Sequence, residues 1–241
     1  MARGYLKYQF SRRKPNKRIT GMYNADYPIF KDFLHELFTK IKENKINRLI
    51  IDLRYNSGGD FELCRQLLYY LSTRNELKDF KEYVYTSAIY KAYFPKEYEA
   101  FEQKYVQENH QKPPRNRLLL NQKNAFFNTI TNPQSPYFIE ASRPAFKGKV
   151  YILANQNTGS AAALLTAIIQ DNGIATVIGT SVGNNPTGAT TFTPFKLPKT
   201  KASVSIACTY SERPDVQRDK VLFPDVWMEP TFIEWLNGKL L

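Results

Sequence analysis

Apolar and polar positions fall into blocks along the chain. Ile29, Phe30, Phe33, Leu34, Leu37, Phe38 and Ile41 recur at helical spacing, which predicts an amphipathic helix over roughly 27–44. Asp26 is placed to cap it, and Pro28 falls in its first turn. Arg48 to Leu53 reads as a buried strand, and Phe61 to Leu71 as a second helix. The same order returns later. Val150-Tyr151-Ile152-Leu153-Ala154 has the length and composition of a strand, and Asn155 to Gly159 has turn chemistry. An Ala- and Leu-rich helix then runs from Ser160 to the stop signal Asp171-Asn172-Gly173, and Ala175 to Ile178 forms a further apolar run.

Elsewhere the pattern is looser. Gly4 to Phe10 alternates enough for a short strand, and Ser11 to Lys17 is a basic loop. Between Lys78 and Pro144, Tyr83 to Ile89 suits a strand and Glu97 to Glu108 a strongly polar helix. Lys112-Pro113-Pro114-Arg115 and Asn132 to Pro136 break the pattern there. Residues 78–144 are therefore expected to be an insertion on the edge of the core. Thr180 to Gly188 is a glycine-containing loop, Ala189 to Phe195 and Ala202 to Tyr210 read as strands, and Glu212 to Lys220 is a charged loop. A short terminal helix is expected at Phe232 to Leu236. Repeated strand–helix alternation implies an α/β domain with a mostly parallel sheet. One core domain over 1–241 is expected, with residues 1–26 as a basic strand and arm.

Composition narrows the class. The 241 residues are 42% hydrophobic, and no apolar run approaches the ~20 residues of a membrane span. The net charge is +12, and Arg3, Lys7, Arg12, Arg13, Lys14, Lys17 and Arg18 crowd the first 20 positions without an acidic residue. Such an arm suits nucleic acid or an anionic surface, but no zinc-ligand spacing or RNA-binding signature accompanies it. A solvated loop with weak, non-specific binding is expected, and no metal, cofactor or specific nucleic acid is called for. Cys64 and Cys208 each lie in an apolar pattern and are expected to be separate buried thiols. His35 beside the first helix stripe reads as a boundary residue, and His110 beside the Pro-Pro break as an exposed loop residue.

The candidate chemistry gathers at the two strand–turn–helix units. Ser160 at a helix N-terminus is either a cap or a nucleophile, with unpaired N–H groups beneath it. The Asp52-Leu53-Arg54-Tyr55-Asn56-Ser57-Gly58-Gly59 turn carries adjacent glycines, which let backbone N–H groups face a ligand. Asp52–Gly59, Gly159-Ser160-Ala161-Ala162, Gln170-Asp171, Val177-Ile178-Gly179 and Phe223-Pro224-Asp225-Val226-Trp227-Met228-Glu229-Pro230-Thr231 occur in that order. Together they resemble the tail-specific, or C-terminal-processing, serine peptidases and the related tricorn core protease. The resemblance runs from about Phe30 to the C-terminus.

The resemblance implies a ClpP/crotonase-like fold of stacked strand–strand–helix units, with Ser160 as the nucleophile. The N–H groups of Gly58 (or Gly59) and Ala161 form the oxyanion hole. It also implies a general base, which many members supply as a lysine 25 residues after the serine. Here that position is Asn185, and no lysine lies between Lys149 and Lys196. The tricorn-like branch instead uses a histidine in a segment before the strand corresponding to Gly4–Phe10, supported by a glutamate after the nucleophile. Glu212 is the first candidate for that carboxylate, with Asp215 and Asp219 behind it. Asn185 and Thr187, in the loop near the serine, are candidates for holding substrate. Two accounts follow: the core of a longer serine endopeptidase acting on unstructured polypeptides, or a non-catalytic relative that binds peptide or another ligand. The first places the whole protein outside the cytoplasm, in the periplasm or secreted, as the family resemblance implies. A nucleic-acid binder using the basic arm, and a CoA-thioester enzyme by fold analogy, complete the field.

Overall fold

In the computed structural model the described residues are 4–6, 27–113, 118–119, 126–190, 192–218 and 220–229. In chain order they form β1 (Gly4–Leu6), α1 (Tyr27–Glu43), β2 (Arg48–Asp52), α2 (Phe61–Leu71), β3 (Lys81–Val84), α3 (Ala88–Tyr93), α4 (Pro95–Asn109) and β4 (Leu118–Leu119). There follow α5 (Asn128–Thr131), β5 (Lys149–Ala154), α6 (Ser160–Asp171), β6 (Thr176–Gly179), β7 (Gly188–Ala189), β8 (Phe192–Lys196), β9 (Ser203–Ala207), β10 (Thr209–Glu212) and β11 (Val226–Trp227). The chain divides into two compact units, one within Met1–Lys78, Ala125–Pro186 and Gln217–Leu241, the other within Asp79–Asn124 and Thr187–Val216. The expected cap Asp26, the basic arm around Ser11–Lys17, Asp219 and the terminal segment Phe232–Leu236 lie outside the described residues.

The first unit is an α/β layer structure around a parallel sheet of order β1-β2-β5-β6-β11. Parallel neighbours need long crossovers, which is why a helix follows most strands. In register, Leu49 lies beside Val150, and Ile51 beside Ile152, which lies beside Val177. These side chains are at most 5% exposed. Their alternates are less covered, with Ile50 at 36%. One face of the sheet is therefore covered more fully than the other, and the strands alternate instead of running apolar on both faces. On α1 the buried residues are Phe30, Leu34, Phe38 and Ile41, the stripe that the helical spacing predicts. Phe38 stacks on Tyr70 of α2 at 4.7 Å, fastening the two helices. On α6, nine consecutive-turn positions from Ala161 to Gln170 are buried, so its small residues let the helix lie close to its neighbours.

The second unit holds two small antiparallel sheets, β4-β3-β10-β7 and the β8-β9 hairpin. The expected strand at Tyr83–Ile89 ends at Val84 instead. The Ser87 hydroxyl oxygen accepts from the Tyr90 N–H at 3.1 Å, an N-cap that starts α3. The expected strand at Ala202–Tyr210 is two strands. The Cys208 carbonyl between them accepts from the Tyr85 N–H at 2.9 Å, and the chain changes sheets there. The helix expected at Glu97–Glu108 is present as α4, and its exposed C-cap is His110, in the left-handed conformation at φ 53°. No disulfide joins Cys64, which is buried, to Cys208, which is only half-buried.

Candidate active site

Strands β2 and β5 are parallel neighbours, so the turns that leave their C-terminal ends lie side by side. The first turn is braced by a charge pair. Asp52 is 5% exposed, and its carboxylate accepts from the Arg54 guanidinium at 2.9 and 2.8 Å and from the Arg54 N–H at 3.0 Å. Such bidentate, charge-assisted contacts hold geometry as well as energy. Asn56 is 1% exposed. Its carbonyl accepts from the Gly159 N–H at 2.9 Å, and its Oδ1 accepts from the Gly58 N–H at 3.0 Å. Thr158, fully buried, donates its hydroxyl to the Leu53 carbonyl at 2.9 Å and accepts from the Asn155 N–H at 3.0 Å. The two turns are thus stitched together through their backbones.

Gly58 shows how close that approach is. Its φ is +95°, and a β-carbon there would lie 2.6 Å from Ser160 Cβ and 2.7 Å from both the Ala161 nitrogen and the Gly159 carbonyl oxygen. No other residue fits both the conformation and the space. Ser160 itself is exposed and has φ +48°, a left-handed backbone that costs a non-glycine residue about 1–3 kcal/mol. Such strain persists only where the surroundings impose it, and it recurs at nucleophiles carried on sharp strand-to-helix turns.

Ser160 opens α6, whose first N–H groups have no partner within the helix. The Ser160 N–H donates to Asn184 Oδ1 at 2.6 Å, and the Ala162 and Ala163 N–H groups turn back to the Gly159 carbonyl at 3.1 and 3.4 Å. Among the hydrogen bonds of the described residues, the Ala161 and Gly59 N–H groups donate to nothing. The helix dipole adds positive potential at the same point. Beneath it, Cys64 of α2 lies 3.7 Å from the Ala161 carbonyl, and burial holds its thiol far above the ordinary range. That cysteine is an inert packing group.

The remaining candidates each have their own local setting. Glu212 ends β10 in the second unit, where its Oε2 accepts from the Tyr83 hydroxyl at 2.9 Å. Thr187 belongs to the same unit, and its hydroxyl oxygen accepts from the Arg213 N–H at 3.0 Å. Asp215 is half-buried there, and Asn185 is exposed in the first unit. His35 lines a cleft of about 310 Å³ with Tyr70 and Arg143, at the C-terminal end of α2. Gly58 stands by the N-terminal end of that 11-residue helix, so the histidine is displaced by about a helix length, ~15 Å. Among the described residues no group of three or more His, Cys, Asp or Glu side chains is placed to hold a metal ion.

Three of the matched motifs hold the frame. Asp225 accepts from Gln170 Nε2 at 2.9 Å and from the Val177 N–H at 2.8 Å. One carboxylate therefore ties α6 to β6. Asn184 and Asn56 carry contacts that sequence reading missed. Nothing local marks Asn184, because its partner lies 24 residues away.

A model of peptidase family S41 matches residues 18–218. The chain belongs to peptidase family S41. Its α/β architecture with a parallel sheet is the ClpP/crotonase-like arrangement of that family. Among solved structures, this S41 chain is similar to mature CPAF, at 12% identity and a TM-score of 0.53 over 92% of this chain and 45% of that one. It is also similar to the photosystem II D1 C-terminal processing protease, at 16% identity and a TM-score of 0.48 over 88% of this chain and 43% of that one. The S41 chain thus spans about half the length of these solved chains. No curated protein sequence matches it.

Proposed function

We propose that the chain carries the nucleophile and oxyanion hole of a serine endopeptidase that cleaves unstructured polypeptides. The observation that carries this reading is Ser160, exposed and strained at φ +48°, packed against Gly58 with the Ala161 N–H unspent beside it. A serine in this setting attacks a peptide carbonyl, and the Ala161 and Gly59 N–H groups take the oxyanion. Gly59 is preferred over Gly58 because the Gly58 N–H is donated to Asn56. Glu212 is the supporting carboxylate in this reading, and the general base is a histidine from a preceding segment of the whole protein. Asn185 and Thr187 contact substrate, and the whole protein works outside the cytoplasm. No helix among the described residues is long and apolar enough to cross a membrane.

Without a base, a serine hydroxyl is a weak nucleophile at neutral pH. The 241-residue chain alone should therefore cleave a disordered polypeptide very slowly or not at all. The protein at its natural length should cleave it and lose that activity on Ser160→Ala. Natural-length Ser160→Ala protein with full activity would remove the reading. Asn185 at the family's lysine position favours a second reading, a relative that binds peptide without cutting it. That reading predicts peptide binding, no cleavage at natural length, and no effect of Ser160→Ala on affinity.

A further inference from the structure

We infer that Asn184 is the positioning residue for Ser160, supplying from a distant loop the cap that α6 lacks. This rests on the reading of Ser160 as the nucleophile. The N-cap residue of α6 is Gly159, which has no side chain to accept from the helix start. Ordinarily a Ser, Thr, Asp or Asn at that position would do so. Here Asn184 Oδ1 takes the Ser160 N–H at 2.6 Å, and the same oxygen would lie 3.6 Å from a β-carbon placed on Gly159. That spacing is an ordinary contact, so the Asn184 oxygen sits beside a cap position whose own residue supplies no acceptor.

The loop is built to deliver that oxygen. The Gly183 N–H donates to the Thr158 carbonyl at 3.0 Å, and the Val182 N–H to the Leu222 carbonyl at 3.3 Å. A β-carbon on Gly183 would lie 2.1 Å from the Gln156 carbonyl oxygen, so only glycine lets the loop seat there. The backbone immediately before Asn184 is therefore pinned to the turn immediately before Ser160.

The contact has two consequences for the chemistry. It over-determines a left-handed backbone that would otherwise relax, and so fixes the direction of the Ser160 hydroxyl. It also removes the Ser160 N–H from competition while leaving the Ala161 N–H open, so an oxyanion meets one defined donor at the helix start. Asn184 does not touch the reacting atoms in this scheme; it acts through the backbone of Ser160.

The test uses the protein at its natural length with Asn184→Ala, Asn184→Leu and Asn184→Asp. Hydrogen exchange resolved to the Ser160 amide should be about tenfold faster in the Ala and Leu variants, as expected for loss of a cap. Asn184→Asp keeps the acceptor and should keep the protection. On a disordered polypeptide, kcat should fall about tenfold or more in the Ala and Leu variants at unchanged KM, the pattern of a lost transition-state interaction. A merely structural loop contact would raise KM as well. Unchanged exchange in Asn184→Ala overturns the inference, as does faster exchange with unchanged kcat. If the unsubstituted protein cleaves nothing, the nucleophile reading falls and takes the positioning role with it. If it cleaves and Asn184→Ala cleaves equally well, only the positioning role falls.

Discussion

Replacing Gly58 by alanine attacks the closest backbone approach at the candidate site. The new β-carbon would meet Ser160 Cβ at 2.6 Å and two backbone atoms at 2.7 Å, none of them the free end of a flexible side chain. Relief requires the two turns to separate, which typically costs about 1–3 kcal/mol for overpacking. The positive φ of +95° adds about 1–2 kcal/mol for a residue with a β-carbon. The sum is about 2–5 kcal/mol. At this chain length that lowers the melting temperature by about 4–20 °C. Gly59 is the control. It is exposed and its φ is not positive, so Gly59→Ala should shift stability by less than about 1 kcal/mol. Thermal melts followed by circular dichroism measure both. Equal, small shifts for the two variants would refute the packing of Gly58 on Ser160, and the oxyanion geometry with it.

Two further outcomes are expected. A thiol reagent applied to the folded protein should modify Cys208, which is half-buried beside Tyr85 and Tyr90, and spare Cys64, whose thiol is buried and held protonated; equal rates would contradict the placement of Cys64 under Ala161. Burial pushes the Tyr70 hydroxyl up to about 12 from its ordinary 10.0, so the unfolded chain loses this proton first; stability should be intact below pH 10.0, fall as pH rises toward 12, and fall less in Tyr70→Phe when denaturant titrations are compared.

Much of the first unit was legible in the sequence because its signals are local and redundant. The stripe from Phe30 to Ile41 and the turn chemistry at Asn155–Gly159 each specify an element without reference to the rest of the chain. The motif order carried the fold and brought attention to Gly58 and Ser160. The second unit was less legible. A single hydroxyl at Ser87 turned an expected strand into a helix, and the Cys208 carbonyl split another. Those outcomes depend on which sheet accepts each strand, which periodicity does not encode. The role of Asn184 was invisible for a related reason. An amide side chain in a loop looks the same whether it faces water or caps a helix that begins 24 residues earlier.

The stitching of the two turns also bears on when the site comes into being. Thr158 and Leu53, which join them, are 105 residues apart in the chain. Closing so long a loop is entropically unfavourable and contributes to slow folding. During synthesis the Asp52–Gly59 segment leaves the ribosome well before its partner exists. The approach of Gly58 to Ser160 therefore has to wait until both turns exist and have met. If Ser160 cuts peptides, the unfinished polypeptide, itself an unstructured substrate, is not exposed to its own blade until the sheet has closed.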